Sequence, residues 1–223
     1  ISLVGARPLF VDIDPKTFTM DPARLEDCLR LAKGQSGNGR VRAVIPIHLY
    51  GQPAAMDEIQ SVCRTYGVTI VEDACQAHLA RYAGSFVGNF GAAATFSFYP
   101  VKNLGAFGEA GAVLTNDDRL DTTMRRLRDH GQVEKYKHES WGHNYRMDGL
   151  QGAVLGVKLK YLEAWTSRRR DIAKTYNSLL AGVGDLVLPF ESPQAHHVYH
   201  LFVIRTRRRA ALQQFLSERE IAT

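Results

Sequence analysis

Short, mostly apolar runs alternate in this chain with segments in which apolar residues recur every three or four positions. Residues 41–47 and 68–71 are almost wholly apolar, which is typical of buried strands. The segment between them has apolar residues at helical spacing and a glycine where the helix should stop: Met56, Ile59, Val62, Cys63, Tyr66 and Gly67. A strand, a helix and a second strand in this order predict a βαβ unit with parallel strands and a right-handed crossover.

Two further strand-like runs, at 92–98 and 112–115, extend this pattern towards the middle of the chain. Together with the intervening helical segments they predict an α/β fold. We expect a three-layer αβα large domain with a mostly parallel central sheet over residues 1–165. The hydrophobic fraction of 45% is sufficient for a core of this size.

The last part of the chain predicts the start of a smaller α/β domain over residues 166–223. Apolar runs at 186–188 and 198–204 are expected to be its strands, and a helix follows them. The first residue is Ile1 rather than methionine, and the last, Thr223, comes directly after that helix. We therefore expect a fragment that lacks both ends of a longer chain.

The charge of the chain is mildly basic. Its 28 Lys and Arg residues against 23 Asp and Glu residues give a net charge of +5, which favours anionic ligands in general. The arginine-rich runs 168–170 and 205–209 could form a nucleic-acid patch, but no interleaved aromatics or binding motif accompany them. A solvated helix face or loop is the plainer interpretation, and we expect no nucleic-acid partner.

The three cysteines, Cys28, Cys63 and Cys75, are odd in number, and no pair has the CxxC spacing. This pattern favours a reducing compartment and argues against a zinc ribbon or a disulfide framework. No stretch approaches the roughly 18 apolar residues of a membrane span, and no signal peptide is visible. The sequence therefore predicts a cytoplasmic protein with no membrane contact and no metal site.

Polar side chains follow two neighbouring strands of the predicted sheet. Asp73 and Gln76 come directly after the run at 68–71, and Ser97 and Lys102 lie at and beyond the end of the run at 92–98. In open α/β sheets, ligands bind at the carboxyl ends of the strands. A carboxylate, an amide, a hydroxyl and a lysine are the groups that hold pyridoxal phosphate. The carboxylate keeps the pyridine nitrogen protonated, and the lysine closes a Schiff base with the aldehyde.

Each of these residues also has a purely structural interpretation. A lysine after a strand is most often a surface lysine, and an aspartate in this position is often a helix N-cap. Ser97 could satisfy a strand end, and Gln76 could be a loop amide. His48 and His78 are candidates for the active site, with buried core or rim histidines as the default interpretation.

Four ordered motifs carry a resemblance to a known family. They are Val71-Glu72-Asp73-Ala74-x-Gln76-Ala77-His78, Phe96-Ser97-Phe98-x-x-x-Lys102-Asn103-Leu104-Gly105, Gly108-Glu109-x-Gly111 and Gly142-x-Asn144-Tyr145-Arg146-Met147-x-x-x-Gln151. With them, the chain resembles the DegT/StrS sugar aminotransferases, which are pyridoxal-phosphate enzymes of fold type I. The resemblance covers the chain from about Gly5 to Thr223.

The resemblance implies a role for each site residue. Lys102 would form the Schiff base, Asp73 would face the pyridine nitrogen, Gln76 the ring oxygen and Ser97 the phosphate. Asn144 would reach the phosphate of the other subunit's cofactor, so a homodimer with shared active sites is expected. The implied reaction transfers the amino group of glutamate or glutamine to a nucleotide-linked keto-sugar.

Three alternatives remain open at this point. A pyridoxamine-dependent sugar dehydratase of the same family would carry histidine in place of Lys102. A regulatory relative could keep the fold without the chemistry. A nicotinamide-binding protein would need a G-x-G-x-x-G turn, which does not follow the early strands. The family's N-terminal segment, with a phosphate contact and a ring-stacking aromatic group, and its C-terminal part have no counterpart in the chain.

Overall fold

The computed structural model describes residues 1–34 and 40–223. In chain order, its helices are α1 (Pro22–Gly34), α2 (Met56–Tyr66), α3 (Asp118–Arg128), α4 (Gly149–Leu159), α5 (Leu162–Leu180) and α6 (Arg209–Ser217). Its strands are β1 (Ala43–Val44), β2 (Thr69–Asp73), β3 (Arg81–Tyr82), β4 (Ser85–Phe86), β5 (Ala93–Ser97), β6 (Gly111–Leu114), β7 (Gln132–Glu134), β8 (Lys137–His138) and β9 (Ala195–His196). Within the described ranges, no helix combines the length and the apolarity that crossing a bilayer requires.

The central sheet has the order β1-β2-β5-β6. The first three strands are parallel and β6 is antiparallel to β5. The α/β fold with a mostly parallel sheet is therefore confirmed, and α2 forms the predicted crossover between β1 and β2. The strand predicted at 41–47 is shorter than expected because Pro46 has no N–H to donate to the ladder. Pairing resumes beyond it, where Ile47 bridges Asp73.

Two buried clusters hold the helices against this sheet. One joins α1 and α2 to β1 and β2, and its members include Leu25, Met56, Ile59 and Ile70. The other joins α4 and α5 to the loop after β5; it contains Leu104, Ala106, Leu155 and Leu162. Because both clusters are made of apolar side chains, their burial stabilises the fold and fixes the carboxyl ends of β2 and β5 relative to the helices.

The apolar run at 198–204 is not a strand, contrary to the prediction. The nearest strand is β9, which pairs with β3 in a separate three-stranded sheet. The carbonyl groups at the start of this run are already used, since Arg169 of α5 donates to those of Tyr199 and His200 and Asn103 donates to that of Val198. Arg170 of α5 donates to the carbonyl of His197, directly before the run. The start of the run is therefore a loop held against α5.

The same contacts explain two arginines of the basic run at 168–170. Arg169 Nη1 lies 3.2 Å from the carbonyl oxygen of Tyr199, and Arg170 Nη1 lies 2.6 Å from Glu191 Oε1. These guanidinium groups bind the protein's own backbone and carboxylate rather than facing solvent. The domain division predicted at 165/166 falls inside α5 and stays a prediction.

Candidate active site

Asp73 is the last residue of β2 and lies at the carboxyl edge of the sheet. Its backbone N–H donates to Pro46 O at 2.9 Å, and its carbonyl accepts from His48 N at 3.0 Å. Its Oδ1 accepts from the Cys75 N–H at 3.0 Å, which makes a turn rather than a helix N-cap. The other carboxylate oxygen has no hydrogen-bond partner within the part of the chain that the structure describes, so it remains available as an acceptor.

Gln76 follows in the same turn, and its side chain is oriented by the backbone of Tyr50. The Tyr50 N–H donates to Gln76 Oε1 at 2.7 Å. Tyr50 has a φ of 61°, in the left-handed region that side chains rarely adopt. Because the amide oxygen is engaged, the Gln76 NH₂ group is left as a hydrogen-bond donor. No sequence pattern indicates this role for Tyr50, which lies 26 residues away in the chain.

Ser97 and Lys102 follow the neighbouring strand. Ser97 ends β5, and its Oγ accepts from the Tyr99 N–H at 3.3 Å, which leaves its own hydrogen free to donate. The Lys102 N–H donates to Tyr99 O at 2.9 Å and so closes a tight turn. The half-buried Lys102 ammonium group has no ion pair or hydrogen bond among residues 1–34 and 40–223.

The loop that carries Lys102 is closely packed. A Cβ added at Gly105 would lie 2.2 Å from the carbonyl oxygen of Pro100, so no larger residue fits there. The Lys158 ammonium group donates to the Gly105 carbonyl. Gln151 Oε1 accepts from the Phe107 N–H at 2.8 Å. These contacts tie the loop to α4 and fix the backbone on either side of Lys102.

The four residues lie around the same edge of the sheet. Strands β2 and β5 are parallel neighbours in which Asp73 pairs with Thr95, two residues before Ser97. Burial lowers the pKa of His78 to about 4, and the positive charge of Lys102 contributes to that lowering.

Asn144 is not brought to this edge. It is exposed and bridges Asp129 in a segment that runs antiparallel to the end of α3. The N–H groups on either side of it, at His143 and Tyr145, donate to the carbonyls of Leu127 and Arg128 at 2.7 and 2.9 Å. No hydrogen bond joins its side chain to the other four site residues in the described ranges.

The whole chain, residues 1–223, matches the DegT/DnrJ/EryC1/StrS aminotransferase family. The chain belongs to this family. Among curated proteins it is 43% identical to a dTDP-3-amino-3,4,6-trideoxy-alpha-D-glucose transaminase of Streptomyces venezuelae, with 100% of the chain and 57% of the relative covered. It is 46% identical to a "Pleiotropic regulatory protein" of Geobacillus stearothermophilus, again over 100% of the chain and 58% of the relative. The chain thus spans a little under three fifths of the length of these relatives.

Solved structures of family members superpose closely. The S. venezuelae DesV structure, in complex with a ketimine intermediate, has a TM-score of 0.91 at 43% identity and covers 98% of this chain and 57% of its own. A family aminotransferase from Brucella abortus has a TM-score of 0.95 at 32% identity, with 99% and 59% covered. The fold-type I architecture implied by the motifs is confirmed by these neighbours.

Pyridoxal phosphate is the cofactor of this family, and the residues at the edge of the sheet fit it. The free oxygen of Asp73 can accept the proton of a pyridinium nitrogen, and the Gln76 NH₂ group can donate to a phenolic oxygen. The Ser97 hydroxyl can donate to a phosphate, and Lys102 offers an amine without a competing carboxylate. Each of these four side chains can thus make the type of bond that the corresponding cofactor group requires.

His48 is a buried histidine, as the default interpretation predicted, but the sequence analysis did not identify its pairing with Glu72 behind this site. His48 and Glu72 are both completely buried, with Nε2 and Oε2 3.0 Å apart. The Ala54 N–H donates to His48 Nδ1, which assigns the proton to Nε2. Burial alone would raise the pKa of Glu72, but hydrogen bonds from His48 and the Gly88 N–H outweigh it and lower that pKa. A charged residue inside an apolar strand was the signal that could have revealed the pair.

His78, the other ambiguous histidine, is buried without a hydrogen bond. It is 4% exposed and packs between the rings of Phe96 and Phe98, with centroids 5.6 and 5.7 Å away. Neither ring nitrogen has a partner within the described residues. It therefore packs as an apolar group would against Phe96 and Phe98, the two neighbours of Ser97 in the chain. Burial strongly favours its neutral form.

We expect the free energy of unfolding to fall as the pH is lowered from 6.5 to about 4. Burial is the main reason that the pKa values of His78, His197 and His200 are lowered from 6.5 to about 4. The unfolded chain therefore binds more protons than the folded chain in this window, so stability is lost as the pH falls through it. Urea denaturation at several pH values measures the decline, and histidine NMR titration of the folded protein checks its source. Histidine resonances that all titrate near pH 6.5 would contradict this explanation.

Proposed function

We propose that the protein is a pyridoxal-phosphate-dependent aminotransferase that moves the amino group of glutamate or glutamine to a nucleotide-linked keto-sugar. One observation carries the proposal: within residues 1–34 and 40–223, the Lys102 amine, one carboxylate oxygen of Asp73 and the amide NH₂ of Gln76 have no partners, and all three lie at the same sheet edge. Relatives named as transaminases of dTDP- and UDP-linked sugars support the substrate class. The mild positive charge suits a diphosphate group.

The residues have distinct tasks in this reaction. Bound pyridoxal phosphate supplies an electron sink for the substrate carbon. Asp73 holds a proton on the ring nitrogen, and Gln76 donates a hydrogen bond that orients the ring oxygen. Ser97 donates to the phosphate group. Lys102 takes a proton from the carbon that bears the amino group and returns it as the amine is transferred, as a general base and then a general acid.

Lys102 also favours amine transfer over the dehydratase alternative. The dehydratases of the family carry histidine at this position, whereas this chain has a primary amine. A primary amine can hold the cofactor aldehyde covalently between turnovers, which an imidazole cannot. The residue type at position 102 therefore separates the two reactions.

The intact protein is expected to convert a nucleotide-linked keto-sugar into an amino-sugar. It should be incubated with ¹⁵N-glutamate or ¹⁵N-glutamine and a panel of dTDP-, UDP- and GDP-linked keto-sugars. Mass spectrometry should then find one product that carries the label, together with the oxo-acid of the donor. A deoxy-sugar without nitrogen would instead identify a dehydratase. Reactions without amino donor are the control.

We also propose that the active protein is a homodimer whose subunits share their active sites. Large apolar side chains are exposed around Asn144 in the chain and along α4: Trp141 is 96% exposed, Leu150 72% and Val157 59%. Exposure on this scale is typical of a protein–protein interface. A second subunit packed on these residues would bring Asn144 to a cofactor phosphate that its own chain does not offer.

A regulatory role is the second candidate, because one relative at 46% identity is named a "Pleiotropic regulatory protein". A purely regulatory protein would not need the unpaired amine of Lys102. If the intact protein binds pyridoxal phosphate but forms no labelled product with any sugar of the panel, the regulatory candidate is favoured over the enzymatic one.

We propose a cytoplasmic location for this reaction. Cys28, Cys63 and Cys75 are all free thiols, with Cys63 buried and the other two partly buried. Free thiols persist in reducing compartments.

A further inference from the structure

The loop 198–201 lies beside the backbone that orients Gln76. Its Val198 N–H donates to Gly51 O at 3.0 Å, and its Leu201 N–H donates to Tyr50 O at 3.3 Å. Gly51 has a φ of 98°, and a Cβ there would lie 2.8 Å from Val198 Cγ2. Since the Tyr50 N–H binds Gln76 Oε1, this loop braces one side of the candidate active site.

The same loop reaches the backbone that carries Lys102. Asn103, the next residue in the chain, is only 6% exposed. Its Nδ2 donates to Val198 O at 3.3 Å, so its Oδ1 is left to face His200 Nδ1 at 3.1 Å. Because that oxygen can only accept, Nδ1 of His200 carries the proton and donates. Both polar atoms of the Asn103 side chain thus bind the loop 198–201, and they hold that loop against the backbone next to Lys102.

The backbone of His200 is itself held in place. Arg169 Nη1 donates to the carbonyl oxygens of Tyr199 and His200, at 3.2 and 3.4 Å. On the other side, the His200 N atom would lie 3.0 Å from a Cβ placed on Gly51. The backbone that carries the imidazole is therefore held between α5 and the 50–51 turn, and Nδ1 of the ring donates to Asn103.

We propose that His200 is a positioning residue for Lys102. Its hydrogen bond to Asn103 fixes the backbone from which the Lys102 side chain projects, and the shared loop keeps that backbone in register with the support of Gln76. This inference rests on the proposed function, because it assigns how the reacting amine is held. Burial is the main cause of the lowering of the pKa of His200 to about 4, and the charges of Lys102 and Arg169 add to it. His200 is therefore neutral in the working range, and it binds Asn103 without adding a positive charge beside Lys102.

Two substitutions separate the hydrogen bond from the bulk of the ring. His200→Phe keeps a flat ring but removes the donor, whereas His200→Asn places an amide N–H₂ near the position of Nδ1 and keeps it. We expect His200→Phe to lower kcat by roughly 10–100-fold through misplacement of the amine, with KM for the amino donor changed much less. His200→Asn should recover most of that loss. His196→Phe, an exposed histidine four residues earlier on β9, is the matched control and should leave kcat unchanged.

A second readout does not depend on activity. In the intact protein with its cofactor removed, the rate of Lys102 acetylation by acetic anhydride can be followed by mass spectrometry against pH. His200→Phe should increase this rate several-fold because the lysine backbone is less restrained, and His200→Asn should return it towards the original value. Equal rates in all three proteins, or equal increases in both variants, would overturn the proposal. If His200→Phe does not fold, Asn103→Leu removes the acceptor instead and keeps a similar volume. It should also increase the rate of Lys102 labelling, and an unchanged rate would overturn the proposal.

The two readouts also separate this inference from the proposed function. Labelling that responds to His200 in a protein that makes no amino-sugar would refute the aminotransferase while leaving the contact between His200 and the Lys102 backbone in place. Normal aminotransferase activity with labelling that ignores His200 would refute only the positioning role.

Discussion

Replacing Lys102 with alanine is expected to lower kcat for amine transfer by about 10²–10⁴-fold or more, because the variant loses the group that moves the proton. Among the residues that the structure describes, this amine has no ion pair, and it lies just beyond the carboxyl end of β5. Transamination of the sugar identified in the panel measures the effect. Lys174→Ala, which removes an exposed lysine that pairs with Asp171 at 3.5 Å, is the control and should keep full activity.

Borohydride reduction gives an independent check on the same assignment. In the cofactor-loaded protein it should attach the reduced cofactor to the peptide that contains Lys102, and attachment to another lysine would contradict the assignment.

The proposal that two subunits share their active sites predicts the result of mixing two inactive variants. Mixing inactive Lys102→Ala and Asn144→Ala subunits should restore about a quarter of the activity, since random pairing makes half the dimers mixed and each has one intact site. Independent sites would give no recovery.

Replacing Glu72 with glutamine is expected to destabilise the protein by roughly 2–5 kcal/mol, since each buried donor left without an acceptor costs about 1–3 kcal/mol. Glu72 Oε1 accepts from the N–H groups of Phe90 and Gly91, each at 2.8 Å. Its Oε2 accepts from Gly88 N at 2.8 Å and from His48 Nε2 at 3.0 Å. An NH₂ group in either position would face two donors and accept from neither.

Chemical denaturation at pH 7 measures this loss, and Glu134→Gln on the exposed strand β7 is the control with the same chemical change. The lowered pKa of Glu72 fixes the pH dependence. Its contribution is complete above the ordinary value of 4.5 and is lost as the pH falls through the lower folded value. A Glu72→Gln variant as stable as the parent at pH 7 would show that the hydrogen bonds to the 88–91 loop carry little of the stability.

The sheet and the rim of the site could be predicted from the sequence because both follow from local pattern. Apolar runs fix β2 and β5, and parallel neighbours bring their carboxyl ends to one edge, which places Asp73, Gln76 and Ser97 there. Lys102 follows from its place just beyond β5.

The supports of the site could not be predicted because they depend on such contacts. Tyr50 orients Gln76 through a backbone N–H that any residue would provide, so residue type carries no signal. His200 meets Asn103 across 97 positions. The run 198–204 is apolar enough for a strand, yet the carbonyls of Tyr199 and His200 accept from Arg169, a charged residue that the sequence analysis assigned to a solvated face.

The hydrogen bonds from α5 to the loop 198–201 limit where the chain can be truncated. A cut at 165/166 would pass through α5 and remove the guanidinium groups that bind this loop. It would also detach the loop from the 50–51 turn and from Asn103, and so remove the contacts that support the backbone next to Gln76 and Lys102. A C-terminally truncated version that is meant to retain the candidate active site must therefore extend past Leu201.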